Sequence, residues 1–269
     1  LKQLEASWND PERLERLANE DKNSLTTMLE SKYLAKCFLV LVKQDRSQVH
    51  MLFRLMSVLC KRASVDYTFI REFIKDEVVE KYTPSERNAV LHQLLEEFAE
   101  VSEKSDASDN EYITMSLKMM VNPMLEKVLK PKSDSDKDLP SEILEIVDDA
   151  FVNKLVADVF APSDSDEKGL YTDTLLIELL QLSTLLIRYA PKAMINHRKE
   201  LIKFGWNHLK RENSSSKQWA FVNISYFLQA YQAPEKIILQ VFVALLKAHQ
   251  PEQKDLVTEA LDALTPALP

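Results

Sequence analysis

The chain has 269 residues, and 45% of them are hydrophobic, which is enough to bury a core. Its 42 acidic and 34 basic residues give a formal net charge of -8, which argues against a general nucleic-acid binder. Only two glycines occur, Gly169 and Gly205. Sheet proteins and phosphate-binding folds of this size need more glycines at positive φ, so the composition excludes both and predicts an all-α protein.

Helix-start signals recur along the chain. Asp10-Pro11-Glu12 offers a cap with proline at the first helical position, and Thr83-Pro84-Ser85-Glu86 has the spacing of a capping box. Between such signals, apolar residues recur three and four positions apart, as helices require. The pattern predicts helices near 11–19, 25–43, 47–62, 67–81, 84–103, 111–129, 141–160, 172–189, 192–211, 216–231, 235–249 and 252–263.

Prolines punctuate the last third of the chain regularly. Pro191, Pro234 and Pro251 each open a predicted helix, and the first two are 43 residues apart. HEAT and armadillo repeats have a period of about 40–47 residues, and each of their helix pairs buries its apolar face against its neighbours. We therefore predict a right-handed α-solenoid of about six HEAT-like antiparallel helix pairs. An irregular all-α bundle is the alternative, because the repeats share no obvious sequence identity.

Three polar segments interrupt the helical pattern. The segments 131–140 and 162–169 are acidic, rich in serine and almost devoid of large apolar groups, and 102–110 is a weaker break. Their serines are either phosphorylation sites or parts of inert linkers. The breaks divide the chain into a HEAT-like array over 1–130, acidic Ser-rich loops flanking one helix (141–160) over 131–169, and a second HEAT-like array over 170–269. Within the first array, Pro123 should kink or split its helix.

Motifs for catalysis are absent from the sequence. It has no Walker P-loop, GxGxxG, HExxH or CxxC spacing. His92 and Glu96 stand four residues apart without a further local ligand, and the acidic face over 142–149 lacks the histidines of a bundle di-metal site. We therefore expect no enzyme activity, no cofactor and no metal site.

The two cysteines, Cys37 and Cys60, lie in apolar helical patterns and are predicted to be reduced core residues, which suits the cytosol or the nucleus. The sequence contains no uncharged apolar stretch of 18 residues and no signal peptide. We therefore expect a soluble intracellular protein with no membrane partner. Because it starts at Leu1 without methionine and ends at Pro269 directly after a helical pattern, we also expect it to be a segment of a longer chain.

The predicted helix after Pro191 has the most distinctive surface. Residues 170–269 contain 11 basic and 9 acidic residues, so this part is mildly basic. The lysines of the helix could steer an acidic, aromatic-containing peptide while an aromatic ring supplies contact area. Alternatively, the tryptophan packs against the next helix and the lysines only solubilise the surface. The predicted partner-binding residues are Lys192, Arg198, Lys199, Lys203, Phe204, Trp206, Lys210 and Arg211.

Residues 171–269 resemble a known family. The resemblance rests on LLIRYAP at 185–191, RKELIKFGWN at 198–207, YQAPEKIILQVFVALLKAHQ at 231–250 and ALDALTPALP at 260–269. These stretches are similar to the TRRAP family, the transformation/transcription domain-associated proteins. Upstream of residue 171 the sequence offers only a compatible helical array.

The resemblance implies a segment of the long HEAT-repeat solenoid of a PIKK-related pseudokinase, a nuclear subunit shared by histone acetyltransferase coactivator complexes. Its expected partners are transcription activator segments, other subunits of those complexes and neighbouring repeats of the same chain. A karyopherin-like or other helical-repeat adaptor is the alternative, although only Trp206-Asn207 matches the Trp-Asn ladder that a karyopherin needs. An α-helical enzyme is a third possibility, and nucleic-acid binding through the basic helix is a minor fourth; sequence-specific nucleic-acid binding is not expected.

Overall fold

The structure, a computed structural model, describes residues 12, 25–59, 68–104, 110–131, 141–164, 171–211, 213–248 and 250–268. All regular elements in these residues are α-helices or short 3-10 and π turns, and no strand occurs among them. The all-α prediction is confirmed, whereas the handedness and the number of pairs stay predictions. Across the described ranges, no helix combines the length and apolarity that a bilayer crossing demands.

Two compact units make up the chain, Leu1–Met124 and Leu125–Pro269. The division predicted at residues 130 and 170 concerns the repeat organisation and stays a prediction. The predicted helix near 11–19, Cys60 and most of the polar segments lie outside the described residues, while Cys37 has a free, half-buried thiol. The helices that begin in the first unit are α1 (Leu25–Gln44), α2 (His50–Leu59), α3 (Thr68–Phe73), α4 (Pro84–Lys104), α5 (Asn110–Ser116) and α6 (Asn122–Leu129).

The core of the first unit forms where α2 packs against α1, α4 and α5. Apolar residues spaced three and four apart on α4 give that helix one buried face, because such residues share one side of a helix. The predicted apolar repeat of this helix is buried as expected. Its members are Leu91, Leu94, Leu95 and Phe98.

The predicted capping box opens α4. The backbone N–H of Thr83 donates to Glu86 Oε2 at 2.7 Å, and the backbone N–H of Glu86 donates to Thr83 Oγ1 at 3.3 Å. The Arg46 guanidinium also donates to Glu86 Oε2 at 2.9 Å. The backbone hydrogen bond from Thr83 is the main reason that the pKa of Glu86 lies below its ordinary value. One carboxylate thus starts α4 and joins it to a residue 40 positions earlier.

Pro123 lies in the first turn of α6, directly after a π turn at Leu117–Val121. In this wide turn the backbone N–H of Asn122 reaches the carbonyl of Leu117, five residues back. Pro123 has no N–H to donate, so the regular α-helical ladder cannot continue through it. The interruption predicted at this proline therefore takes the form of a π turn.

The second unit begins with two helices where one was predicted over 141–160. Asp148 interrupts that segment, because its carboxylate accepts the backbone N–H of Phe151 at 2.8 Å and caps a new helix. Helix also continues to Asp164, within the segment 162–169 that was predicted to be a loop. The helices are α7 (Ser141–Ile146), α8 (Asp149–Lys154), α9 (Ala161–Asp164), α10 (Asp173–Tyr189), α11 (Arg198–His208), α12 (Ser214–Ala230), α13 (Glu235–Lys247) and α14 (Lys254–Leu264).

The helices α10, α12 and α14 pack side by side and form what we call the inner row. The outer helices, α11 and α13, each pack against α12, and α11 also contacts α9 and the π turn Leu155–Phe160. Consequently α12 is buried along most of its length. Contacts between equivalent positions recur 40 residues apart: Tyr231 donates to the carbonyl of Pro191 at 2.8 Å, and Asn213 to Asp173 at 3.1 Å. This spacing is that of helix-pair repeats.

Candidate interaction surface

The helix α11 separates its buried and exposed residues by helical periodicity. It starts at Arg198, later than the predicted 192, because residues 191–194 form a turn and Ile195–His197 a 3-10 turn. Its buried side carries Leu201, Phe204, Gly205 and His208. Residues spaced four, three and four positions apart on the opposite side project outward. These are Lys199, Lys203 and Trp206 on α11, together with Lys210 in the turn directly after it, and we call them the lysine face.

Gly205 brings α11 unusually close to α12. A Cβ added at this glycine would lie 2.7 Å from Asn223 Oδ1 and 3.0 Å from Ile224 Cγ1, closer than packed atoms tolerate. Asn223 cannot readily yield, because its amide nitrogen donates to Ser183 Oγ at 3.0 Å and to Thr184 Oγ1 at 3.1 Å. The glycine is therefore used for close packing, and the position of α11 against the inner row is fixed by backbone contact.

Five predicted partner-binding residues are exposed. Arg198 has its guanidinium 6.0 Å from the centre of the Tyr231 ring, so it sits beside the end of α12. Lys192 precedes α11 in the turn at 191–194 and therefore stands outside the helical stripe predicted for it. The five are Lys192, Arg198, Lys199, Lys203 and Lys210.

Two further predicted residues are partly covered. Trp206 is half-buried. Arg211 is half-buried, and its guanidinium lies 3.8 Å from the carboxylate of Asp173 at the start of α10. Because that carboxylate already offsets its charge, Arg211 adds less to the positive field than its sequence position suggested.

Phe204 requires a correction. Its ring is fully buried and stacks on Phe160 with the ring centroids 4.5 Å apart. The His208 ring packs against the Phe204 ring at a tilt, with the centroids 4.4 Å apart. A phenylalanine in that position anchors α11 to the π turn before α9 and offers no area to a partner. The sequence could not separate Phe204 from Trp206, because both are aromatic and lie only two residues apart.

An exposed apolar stripe on α13 was missed by the sequence analysis. This helix is apolar nearly all round, and helices of that composition need cover on several sides. Instead, Leu239, Val243 and Leu246 are 45%, 46% and 50% exposed, while Ile238, Val241 and Leu245 are buried. The stripe borders an open depression of about 750 Å³. The residues lining the depression are Glu235, Lys236, Leu239, Gln240, Val243, Ala244 and Lys247.

The inner row carries an aromatic and charged cluster. The Arg188 guanidinium lies 4.9 Å from the Tyr189 ring centre, 4.7 Å from that of Tyr226, and 3.6 Å from the Glu259 carboxylate. Tyr226 also donates to Glu259 at 3.3 Å. Burial raises the pKa of Tyr226 to about 12, with the nearby Arg188 charge opposing that rise. The cluster joins α10, α12 and α14 and leaves Arg188 with its charge largely compensated.

Titratable groups of the described residues do not assemble into a metal site: no group of three or more histidines, cysteines and acids lies together there. His92 is half-buried and Glu96 is exposed. In the acidic face over 142–149, Asp148 serves as a helix cap, while Glu142, Glu145 and Asp149 point to solvent.

Comparison with known proteins connects this helical array to one family. The family model described as the Tra1 HEAT repeat ring region matches residues 1–269. The chain belongs to the Tra1 HEAT repeat ring family. This assignment confirms the resemblance found in residues 171–269, extends it over residues 1–170, and takes precedence over the karyopherin-like alternative.

Relatives from distant organisms agree with this family assignment. The chain is 36% identical over 240 residues to the probable transcription-associated protein 1 of Dictyostelium discoideum, covering 89% of this chain and 5% of that protein. It is 26% identical over 288 residues to the human transformation/transcription domain-associated protein, covering 100% and 7%. Over 96 residues it is 43% identical to the SAGA complex/NuA4 acetyltransferase complex subunit TRA1 of Saccharomyces cerevisiae, covering 36% and 3%.

The chain thus spans only a small part of the length of these relatives. No solved structure gives a significant match to it.

Proposed function

We propose that this chain is a non-catalytic scaffold segment of a nuclear, transcription-associated protein, and that its lysine face docks acidic segments of transcription activators. Through this docking, the larger protein would recruit histone acetyltransferase complexes. Other subunits of those complexes and neighbouring repeats of the same chain are the remaining proposed partners. The names of the relatives support this setting, since the yeast relative is a subunit of SAGA and NuA4 acetyltransferase complexes.

The observation that carries the proposal is the exposure of Lys199 and Lys203 beside the half-buried Trp206 on α11, with exposed Lys210 in the turn directly after the helix. Cations grouped in this way attract an acidic segment from a distance and raise its association rate. An indole beside them supplies the large, rigid contact area that is typical of binding hot spots. The net charge of -8 for the whole chain makes this local positive surface selective, because the rest of the chain repels acidic partners.

Charge reversal tests the lysine face. Lys199→Glu combined with Lys203→Glu should weaken the binding of an acidic activation segment about tenfold at low salt, with a smaller loss as salt screens the charges. The melting temperature should not change, because both side chains are exposed. Fluorescence anisotropy with a labelled activation segment and the full-length protein gives the affinity.

Lys254→Glu is the matched control, because Lys254 is an exposed lysine at the start of α14 in the inner row. It should leave the affinity unchanged. An equal loss in this control would mean that net charge alone governs binding, and unchanged affinity in the double variant would refute the docking role of the lysine face.

A further inference from the structure

We propose that the exposed apolar stripe of α13 is a second half of the docking surface and binds the apolar side of an acidic amphipathic helix. This inference rests on the proposed docking of acidic segments and assigns the place where their hydrophobic residues bind. Leu239, Val243 and Leu246 are spaced four and three residues apart, so they form one continuous ridge along the helix.

Burial separates this stripe from the packed side of the same helix. Ile238, Val241 and Leu245 face α12 and α14 and are at most 5% exposed, whereas each residue of the stripe is close to half exposed. Covering three such side chains removes apolar surface from water at no cost in buried polar groups, because the stripe itself is apolar. A helix laid along it would bind in the helix-in-groove mode, with apolar side chains at positions i, i+3 or i+4 and i+7.

The charges around the stripe determine which amphipathic helix fits. Lys236 and Lys247 flank it at the two ends, about 16 Å apart along the helix axis, and both are exposed. Glu235 is the one acidic side chain of the lining and lies in the first helical turn, at the edge of the stripe. A partner with acidic residues beside its apolar side would therefore meet a lysine at each end.

The neighbouring outer helix extends the same chemistry. α11 and α13 both pack against α12, whose lateral neighbours are α10 and α14. The lysine face and the apolar stripe are therefore carried by helices that share one packing neighbour in the second unit. Electrostatic attraction to the lysine face and apolar burial against the stripe act on one ligand, an acidic amphipathic helix, which gains affinity from both.

The test uses the full-length protein and a labelled 20-residue peptide with leucines at i, i+4 and i+7 flanked by glutamates. Leu239→Ala with Leu246→Ala should weaken binding tenfold or more, and the loss should persist at high salt because it is not electrostatic. Leu144→Ala is the matched control, since Leu144 is 47% exposed on α7, and it should leave affinity unchanged. Unchanged affinity in the double variant would overturn the assignment of α13.

Accessibility of the stripe provides a second test. In the full-length protein, the Val243→Cys variant should react with a maleimide as fast as a Leu144→Cys variant. Added peptide should slow the maleimide reaction of Val243→Cys and leave that of Leu144→Cys unchanged. Reaction at these positions is followed by mass spectrometry of the labelled fragments. A slow reaction at position 243 without peptide would mean that another part of the protein covers the stripe, and this would also overturn the proposal.

The two sets of variants separate this inference from the proposed function. Loss of affinity in the lysine variants alone would retain docking on α11 and refute the role of α13. Loss in the α13 variants alone would retain the apolar site and refute the lysine face. If neither set changes the affinity, both proposals fail.

Discussion

The inner row and the outer helices of the second unit use polar side chains in opposite ways. In the inner row, Asn223 bonds to Ser183 and Thr184 in the interior, and Arg188 lies between tyrosine rings and a carboxylate. On α11 and α13, lysines extend from exposed positions. Polar groups that are satisfied inside the protein fix the register of the helices, whereas charges at the surface attract a partner from solution.

The largest expected difference between these regions concerns two aromatic residues of α11. Phe204→Ala should destabilise the protein by about 3–5 kcal/mol, because it removes a fully buried ring that stacks on Phe160. Trp206→Ala should cost about 1 kcal/mol, because its ring is only half-buried. Urea denaturation followed by circular dichroism measures both. Equal losses would contradict the placement of Phe204 inside and Trp206 at the surface.

The contact of α11 with the inner row gives the next effect. Gly205→Ala should lower the free energy of unfolding by about 1–3 kcal/mol, because the added Cβ would press against Asn223 and Ile224. The higher helix propensity of alanine offsets only about 1 kcal/mol of the steric cost. The Asn223→Ala background should reduce this cost, because the obstructing amide oxygen is then gone. A double-mutant cycle in urea measures the coupling, and strict additivity would argue against the close approach.

Two buried tyrosines sharpen the comparison further. Tyr231 donates to the carbonyl of Pro191, whereas the Tyr82 hydroxyl of the first unit has no hydrogen-bond partner among the described residues. Tyr231→Phe should therefore cost about 1 kcal/mol at pH 7, and Tyr82→Phe close to nothing. Denaturation of both variants at pH 7 tests this, and equal costs would contradict it.

Titration of Tyr82 adds a pH dependence. Burial raises the pKa of Tyr82 to about 12 from 10.0, so the unfolded chain ionises first. The associated stability is complete below pH 10 and is lost as the pH rises from 10 through 12. Tyr82→Phe should reduce this alkaline loss in urea denaturation at pH 8 to 11.5. The exposed Tyr33 provides a matched control through Tyr33→Phe, and an unaltered profile in Tyr82→Phe would count against the buried hydroxyl.

The smallest effect belongs to the lysine face. Lys199→Glu alone should change the free energy of unfolding by less than about 0.5 kcal/mol, because the side chain is exposed and surface substitutions of this kind seldom alter stability. Denaturation in urea checks this. A larger loss would mean that Lys199 supports the fold, and the division between a structural inner row and an interacting outer layer would need revision.

Local signals in the sequence predicted the helices because they act over a few residues. The capping box at Thr83 and Glu86 and the apolar repeat at 91–98 depend only on spacing, and both occur as predicted. The break at Asp148 was missed, because an aspartate within an apolar-periodic stretch serves equally as an exposed helix residue or as a cap. Its role depends on how α7 and α8 pack.

The candidate surface was only partly predictable, since exposure depends on the neighbouring helices. The spacing of Lys199, Lys203 and Lys210 suffices to place them on one side of a helix, but it does not decide whether Phe204 or Trp206 faces outward. Likewise, the composition of α13 is apolar nearly all round, and only its packing against α12 and α14 reveals which side stays open. Long-range packing therefore supplied what periodicity could not.

The missing side chain at position 205 has a mechanical consequence. Where two helices meet through bulky side chains, thermal motion can slide one past the other as rotamers exchange. Here the backbone of α11 contacts the side chains of Asn223 and Ile224 directly, so no side chain at position 205 separates α11 from α12. We therefore expect a tilt of α12 to move α11 with it, so that force applied along the inner row reorients Lys199 and Lys203.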